Sequence, residues 1–312
     1  MLVGAHRILL IDDDRMQFRL LQAHFKNFRG AAHELEWAST YEDGLEKLLR
    51  GAHDACLLDY QLGDRDGLQL IREAVSQGCR TPIVFLTAET AERVDIAAMN
   101  AGALDYLVKG EITPRVLKRS LRYALKLGET MDALRRLATR DQLTGLLNRR
   151  EFERILGEEE ERAQRFGHPL ALVMVDVDHF KRVNDTHGHP AGDDVLREVA
   201  RLVAGEVRTV DRALRFGGEE LVVILVQTDR HEALAVARRI CEAVARDPIP
   251  VVGGPSLRMT VSAGVAALPA DAASGPSLLN AADKALYAAK ARGRNRAVGF
   301  DEVADDAARG RE

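Results

Sequence analysis

Four short apolar runs, at residues 7–11, 55–58, 83–86 and 106–108, alternate with segments of helical period over roughly the first 125 residues. Runs this short and this apolar read as strands buried on both faces, and their alternation with helices reads as a parallel sheet with right-handed crossovers. In such sheets the ligand site lies beyond the carboxyl ends of the strands. The residues at those ends are therefore the first candidates for chemistry: Asp12, Asp13 and Asp14 after the first run, Asp59 after the second, Thr87 after the third and Lys109 after the fourth.

Clustered carboxylates repel one another unless a hard cation sits among them. Mg²⁺ suits such a place because it accepts one or two protein oxygens, keeps several waters and can hold phosphate oxygens. Thr87 adds a hydroxyl and Lys109 an ammonium. Singly, each residue has a plainer reading as a helix cap or a solvated charge; jointly they make a phosphoaspartate site. Through Ile11-Asp12-Asp13, Leu58-Asp59, Leu86-Thr87-Ala88 and Tyr106-Leu107-Val108-Lys109 the segment resembles the response-regulator receiver family. The resemblance implies a doubly wound, flavodoxin-like sheet of five parallel strands. It also implies that Asp59 takes a phosphoryl group from a sensor histidine kinase or phosphotransfer protein, with Mg²⁺ held by Asp13, Asp59 and the Gln61 carbonyl and by Asp12 through water. Lys109 would then pair with the new charge, while Thr87 moves to bond it and Tyr106 rotates inward, biasing a two-state surface. Gly110 stands where that family usually has a proline.

The stretch Pro114–Thr139 has no further proline and is rich in Leu, Ala, Arg and Lys, which predicts one long helix. Leu117, Leu121, Ala124, Gly128, Met131, Leu134 and Ala138 recur at steps of three or four and form one stripe, which could pack on its own domain or pair with another helix. Gly128 costs about 1 kcal/mol relative to alanine in mid-helix and could be a hinge.

After Asp141, strand candidates at 170–175, 212–216, 221–226 and 258–265 are interspersed with helical segments, which predicts a layered α/β or α+β domain. Gly217-Gly218, between two of these strands, predicts a hairpin turn needing positive φ, with Glu219 and Glu220 beside it. The run 170–175 ends in Asp176-Val177-Asp178 and can set another carboxylate opposite the hairpin, as metal-assisted phosphoryl chemistry requires. Alone, Gly-Gly-Glu-Glu is weak evidence. It is joined by Asp141-Gln142-Leu143-Thr144-Gly145-Leu146-Leu147-Asn148-Arg149, by Asp176 through Asp185, by Gly188-His189-Pro190-Ala191-Gly192-Asp193 and by Ala289-Lys290-Ala291-Arg292-Gly293-Arg294-Asn295. In that order these resemble the GGDEF-domain diguanylate cyclases.

This second resemblance implies an α/β domain with a palm-polymerase-like sheet that condenses two GTP into cyclic di-GMP and two pyrophosphates. Asp176, the Val177 carbonyl and Glu219 would hold Mg²⁺, with Glu220 a second metal ligand or a helper in deprotonating the ribose 3'-hydroxyl. Lys181, Lys290 and Arg294 would neutralise the triphosphate over the Gly217-Gly218 turn, and Asn184 and Asp193 would bind guanine. A carboxylate at Asp193 also makes independent sense, since it accepts from the N1–H and N2 amino donors that adenine lacks as a pair. Each half-site holds one GTP, so the resemblance implies a homodimer or higher homo-oligomer, its pairing controlled by the Pro114–Thr139 helix. Arg208-Thr209-Val210-Asp211 matches the family's product-inhibition motif, with Arg239 as a helper. Leu221 departs from the family's phenylalanine and keeps open a second reading, an inactive effector that binds GTP or cyclic di-GMP and signals through protein contacts.

The expected organisation is thus a receiver domain at 1–125, a helical linker at 126–140, a GGDEF domain at 141–300 and a disordered charged tail at 301–312. A net charge of −4 offers no basic field for nucleic acid. Cys56, Cys79 and Cys241 are too few and scattered for a disulfide framework or zinc site and read as packing residues of a reducing compartment. No apolar run approaches the roughly 20 residues that span a bilayer, and residues 8–11 run into aspartates instead of a cleavage site, so a cytoplasmic location is expected. His187 and His189 lack a third metal ligand, and there is no G-x-x-x-x-G-K-[ST] loop to cradle a triphosphate.

Overall fold

The computed structural model describes residues 5–28, 33–88, 99 and 101–303. The chain divides into two compact units, Met1–Arg135 and Arg136–Glu312.

In the first unit β1 (His6–Ile11), α1 (Arg15–Lys26), β2 (His33–Ala38), α2 (Tyr41–Arg50) and β3 (Ala55–Asp59) are followed by a two-stranded ribbon, β4 (Gln61–Leu62) and β5 (Arg65–Asp66). Then come α3 (Gly67–Ser76), β6 (Ile83–Thr87), β7 (Asp105–Val108) and α4 (Pro114–Thr139). The main sheet is parallel throughout with order β2-β1-β3-β6-β7. Alternate residues of each central strand enter different cores: Leu9, Ile11, Cys56, Leu58 and Phe85 on one face, Ile8, Leu10, Leu57, Val84 and Leu86 on the other. The four apolar runs are four of the five strands. One of the four, β7, is an edge strand and only partly buried, not buried on both faces as expected; the fifth strand, β2, at the opposite edge, reads His-Glu-Leu-Glu-Trp-Ala, and its alternating glutamates are why no apolar run marks it.

Helix α4 takes the bounds its composition predicts. Its stripe divides in two. Leu117, Leu121 and Ala124 are buried in the first unit's core, whereas Met131 and Leu134 are 43% and 60% exposed, as are Leu127 and Leu137 beside the stripe at 44% and 57%. Gly128 is not a hinge: the helix runs through it unbroken, and a Cβ there would lie 2.5 Å from Cγ of Pro82, so the glycine admits a close packing partner.

The second unit contains α5 (Arg149–Phe166), β8 (Leu170–Val177), α6 (Phe180–His187), α7 (His189–Gly205), β9 (Arg212–Gly217), β10 (Glu220–Val226), α8 (Arg230–Arg246), β11 (Val261–Leu268), α9 (Gly275–Ala291) and β12 (Ala297–Gly299). Its sheet has the order β12-β11-β8-β10-β9, antiparallel except where β12 joins β11. Helices α6, α7 and α8 cover one face and α5 and α9 the other, giving three layers with the fully buried β8 at the centre. β11 starts three residues later than its apolar pattern predicts, because residues 258–260 lead into the strand and Thr260 uses its hydroxyl on a buried carboxylate. Gly264 in β11 is obligatory in another way: a Cβ there would fall 2.1 Å from the Leu286 amide nitrogen of α9. Residues 301–303, expected in the tail, form helical turn; Asp301 pairs with Arg230 at 3.2 Å and Glu302 with Arg292 at 2.8 Å. The rest of that tail lies outside the described residues. Among the described residues no helix is long and apolar enough to cross a membrane.

Candidate functional site

In the first unit the carboxyl ends of β1 and β3 bring Asp12, Asp13 and Asp59 together, with ligand oxygens within 4.8 Å of one another. Each acid is set by its own loop. The backbone N–H of Asp14 donates to Asp12 Oδ1 at 2.9 Å, the N–H of Gly63 donates to Asp13 Oδ2 at 3.0 Å, and Asp14 itself caps α1 through the N–H of Met16. From the end of β7 the Lys109 Nζ reaches Asp12 Oδ2 at 3.0 Å and Asp59 Oδ1 at 2.9 Å. Burial, with the charge of Asp12 added, lifts the Asp59 carboxyl to about 6 against the opposing pull of Lys109. Burial likewise raises Asp12. Three hard oxygen donors with one ammonium among them fit Mg²⁺, whose charge would relieve the same repulsion.

Thr87 is buried at the end of β6 and Tyr106, in β7, is 38% exposed. Gln61 opens β4 with its side chain in solvent. A Cβ at Gly110 would meet nothing within 4 Å, so no contact depends on a glycine in place of proline there. Sequence reasoning overlooked Gly67: a Cβ at this first residue of α3 would lie 2.2 Å from the Asp59 carbonyl oxygen, so the helix passes tightly beneath the candidate phosphoacceptor.

In the second unit β8 and β10 carry the acids. Asp176 lies directly opposite Glu220 in the ladder, and the N–H of Val177 donates to the Glu219 carbonyl at 3.4 Å. The hairpin is displaced by one residue from the expected turn. Gly217 is still in β9 and pairs with Glu220, so Gly218 and Glu219 form the turn and Gly218 alone takes positive φ, at 42°. Arg215 holds this turn from β9: its Nε and Nη2 donate to the Gly218 carbonyl at 3.0 and 2.7 Å, and its Nη1 to both oxygens of Asp141 at 3.0 and 3.1 Å. Leu221, the departure from the family pattern, is fully buried between its ladder partners Val175 and Arg215 and belongs to the core.

Lys290, near the end of α9, puts Nζ 2.7 Å from Asp176 Oδ2. Burial raises the Asp176 carboxyl while Lys290 opposes it. Burial and then the Asp176 charge raise both Glu219 and Glu220. These acids are short of positive charge, the condition in which hard oxygen donors take up Mg²⁺.

Arg294 and Asn295 follow Gly293 in a run of three positive φ values, 106°, 64° and 46°. What holds this loop is Asp178, a residue not singled out from sequence. Its buried carboxylate accepts from Thr260 Oγ1 and Ser262 Oγ, both at 2.7 Å, and from the Asn295 N–H at 3.1 Å. Its place two residues after Asp176 was the available signal.

The α6–α7 corner carries the candidate base-binding residues. Asn184 Oδ1 is buried with no hydrogen-bond partner, and a Cβ at Gly192 would come within 2.0 Å of it. An orphaned acceptor beside the half-buried Asp193 matches the donor edge of guanine. Lys181 is exposed one turn away, as are His187 and His189. Arg208, Asp211 and Arg239 line one groove of about 310 Å³. Cys56 and Cys241 are buried and Cys79 half-buried, all unpaired by disulfides.

The family description "Diguanylate cyclase, GGDEF domain" matches residues 138–296, and "Response regulator receiver domain" matches residues 8–122. The response regulator PleD of Caulobacter vibrioides is 34% identical over 305 residues, covering 94% of this chain and 65% of PleD. The chain thus spans just under two thirds of that relative's length. Diguanylate cyclase DosC of Escherichia coli is 40% identical over 156 residues, covering 50% of this chain and 34% of DosC. Among solved structures, the coiled coil and GGDEF domain of DgcB from Caulobacter crescentus, in complex with c-di-GMP, superimposes with a TM-score of 0.54 at 33% identity, covering 59% of this chain and 97% of that one. With a receiver sheet in one unit and the GGDEF match spanning the clustered acids of the other, the chain belongs to the GGDEF-domain diguanylate cyclase family and is built as a response regulator.

Proposed function

We propose that the protein is a phosphorylation-controlled diguanylate cyclase that condenses two GTP into cyclic di-GMP and two pyrophosphates. The observation that carries this reading is the convergence of Asp176, Glu219 and Glu220 under Lys290. The orphaned Asn184 acceptor on the neighbouring corner extends it to guanine. Asp176, the Val177 carbonyl and Glu219 would hold Mg²⁺, with Glu220 alongside; when bound, the ion neutralises phosphate oxygens and eases loss of the 3'-hydroxyl proton. Lys181, Lys290 and Arg294 bind the triphosphate, and Asn184 and Asp193 read guanine. The 3'-oxygen of one GTP attacks the α-phosphorus of the other, and pyrophosphate leaves in line. Because each domain presents one nucleotide, two must meet face to face, so a homodimer or larger assembly is part of the mechanism.

In the receiver, Asp59 takes the phosphoryl group from a histidine kinase or phosphotransfer partner, Asp12, Asp13, Asp59 and Gln61 serving Mg²⁺. Lys109 transfers its pairing to the phosphoryl oxygens, and Thr87 and Tyr106 carry the change to the surface. The Arg208, Asp211 and Arg239 groove takes cyclic di-GMP as an inhibitor. The alternative of an inactive effector rested on Leu221. The burial of that side chain weighs against it, since leucine fills the position as an apolar core residue.

The test is to incubate the purified protein with GTP and Mg²⁺, with and without a small-molecule phosphodonor, and identify nucleotides by chromatography and mass spectrometry. Cyclic di-GMP that requires Mg²⁺ and increases with the phosphodonor supports the reading. GTP bound but unreacted under both conditions would favour the effector.

A further inference from the structure

The groove of Arg208 and Arg239 carries three carboxylates, Glu206, Asp211 and Glu232, an awkward balance for a pocket that is to take two phosphates. The three acids are not equivalent. Asp211 is buried and its oxygens serve backbone, accepting from the N–H of Arg208 at 2.9 Å and of Val226 at 3.2 Å. Glu232 closes the capping box of α8: it accepts from the Asp229 N–H at 3.3 Å while its own N–H donates to Asp229 Oδ1 at 2.8 Å. Glu206, the residue that ends α7, instead turns its carboxylate on a groove cation. Its Oε2 lies 3.2 Å from Arg239 Nε, and its carbonyl accepts from Arg239 Nη2 at 3.1 Å. One residue thus engages the Arg239 guanidinium twice, and it does so at a helix C-terminus, where backbone carbonyls add negative potential.

We propose that Glu206 is an internal competitor for the phosphates of cyclic di-GMP at Arg239, and so sets the product concentration at which the groove fills. The inference rests on reading this groove as the product site. A phosphate that takes Arg239 Nε must displace the Glu206 carboxylate, and one that binds the remaining Nη donors sits beside that carboxylate as a like charge. Both effects weaken binding. The pair is partly exposed, at 52% for Arg239 and 28% for Glu206, so its removal is worth a several-fold change in affinity and not orders of magnitude.

The experiment titrates cyclic di-GMP calorimetrically into the full-length protein and its Glu206→Gln, Glu206→Asp and Arg208→Ala variants at fixed ionic strength, with circular dichroism to verify folding. Glu206→Gln keeps an acceptor for the guanidinium and removes the charge, so it should bind about three- to tenfold more tightly. Glu206→Asp keeps the charge and should stay nearer the parent. In an Arg239→Ala background the gain should fall below about twofold. If parent and Glu206→Gln bind equally, or the gain survives without Arg239, while Arg208→Ala still abolishes binding, the competitor role is overturned and the groove reading stands. If no folded variant binds, or Arg208→Ala binds like the parent, the groove reading itself fails and the inference falls with it.

Discussion

Lys290 places its ammonium 2.7 Å from Asp176 Oδ2, and the neighbouring Glu219 and Glu220 have carboxyl groups raised by burial and by that same aspartate. Removing one acid leaves the others with less negative charge to gather a divalent ion. Glu219→Ala should therefore lower kcat by about a hundredfold or more, with little change in thermal stability because the residue sits, half-buried, in the hairpin turn outside the core clusters. Steady-state assays of cyclic di-GMP at saturating Mg²⁺ check this, and full activity in the variant would remove Glu219 from the metal site. A contrasting residue is Gly264, which touches no candidate substrate group. Because a Cβ there meets backbone of α9 at 2.1 Å, Gly264→Ala should destabilise the second unit by about 1–3 kcal/mol, read as a lower denaturation midpoint. Residues of the first kind were legible in the sequence because they recur with other motifs in a fixed order, and that joint pattern outweighs the plainer reading each acid has alone. Gly67, Gly264 and Asp178 were not, since their roles depend on which backbone comes near, and no local pattern carries that information.

At the scale of elements, the same difference decides what periodicity could disclose. The buried central strands stood out as apolar runs, and so did the edge strand β7, which keeps Tyr, Leu and Val although Tyr106 is exposed; the other edge strand, β2, alternates its apolar residues with Glu34 and Glu36 and did not. Helix α4 was legible in its bounds but not in its division between a packed first half and an apolar second half left in solvent. Ala124, Leu127, Met131, Leu134 and Ala138 keep the alternating three–four spacing of a coiled-coil seam. If the proposed dimer pairs through this seam, Leu127→Asp with Leu134→Asp should shift the protein toward monomer in light scattering and depress cyclase activity together; unchanged mass and activity would take the helix out of the proposed dimer. The clamp from Arg215 to Asp141 is a second element-level device, tying the Gly218-Glu219 turn to the loop before α5. Burial works against the Asp141 charge, but hydrogen bonds from Thr144 and Arg215 outweigh it and hold its carboxyl below the usual 3.8. A lowered folded value stabilises the fold above the unfolded value and is lost as pH falls through the folded one. The stability gap between parent and Asp141→Asn should thus be full at neutral pH and close below about pH 4. Denaturant titrations at both ends of that range test the sign.

For the molecule as a whole, receiver and GGDEF motifs each mark their own unit, and the sequence order of the two was readable from the start. What one chain's sequence does not encode locally is how the proposed phosphoryl group on one unit would alter the other's encounter with a second copy. Physically, phosphorylation replaces a carboxylate at Asp59 with a group of about −2 charge and three acceptor oxygens, and Lys109, now divided between Asp12 and Asp59, has a stronger partner. The switch can favour assembly only by stabilising the associated state more than the free one, since a ligand moves an equilibrium by its differential affinity alone. A phosphoryl mimic such as beryllofluoride should consequently do two things in the parent at once: raise the dimer fraction in sedimentation and increase cyclic di-GMP production at constant protein concentration. In Asp59→Asn neither should change. A rise in activity without a change in association would instead mean that phosphorylation acts within dimers already formed, and the exposed half of α4 would then hold the pair together without controlling it.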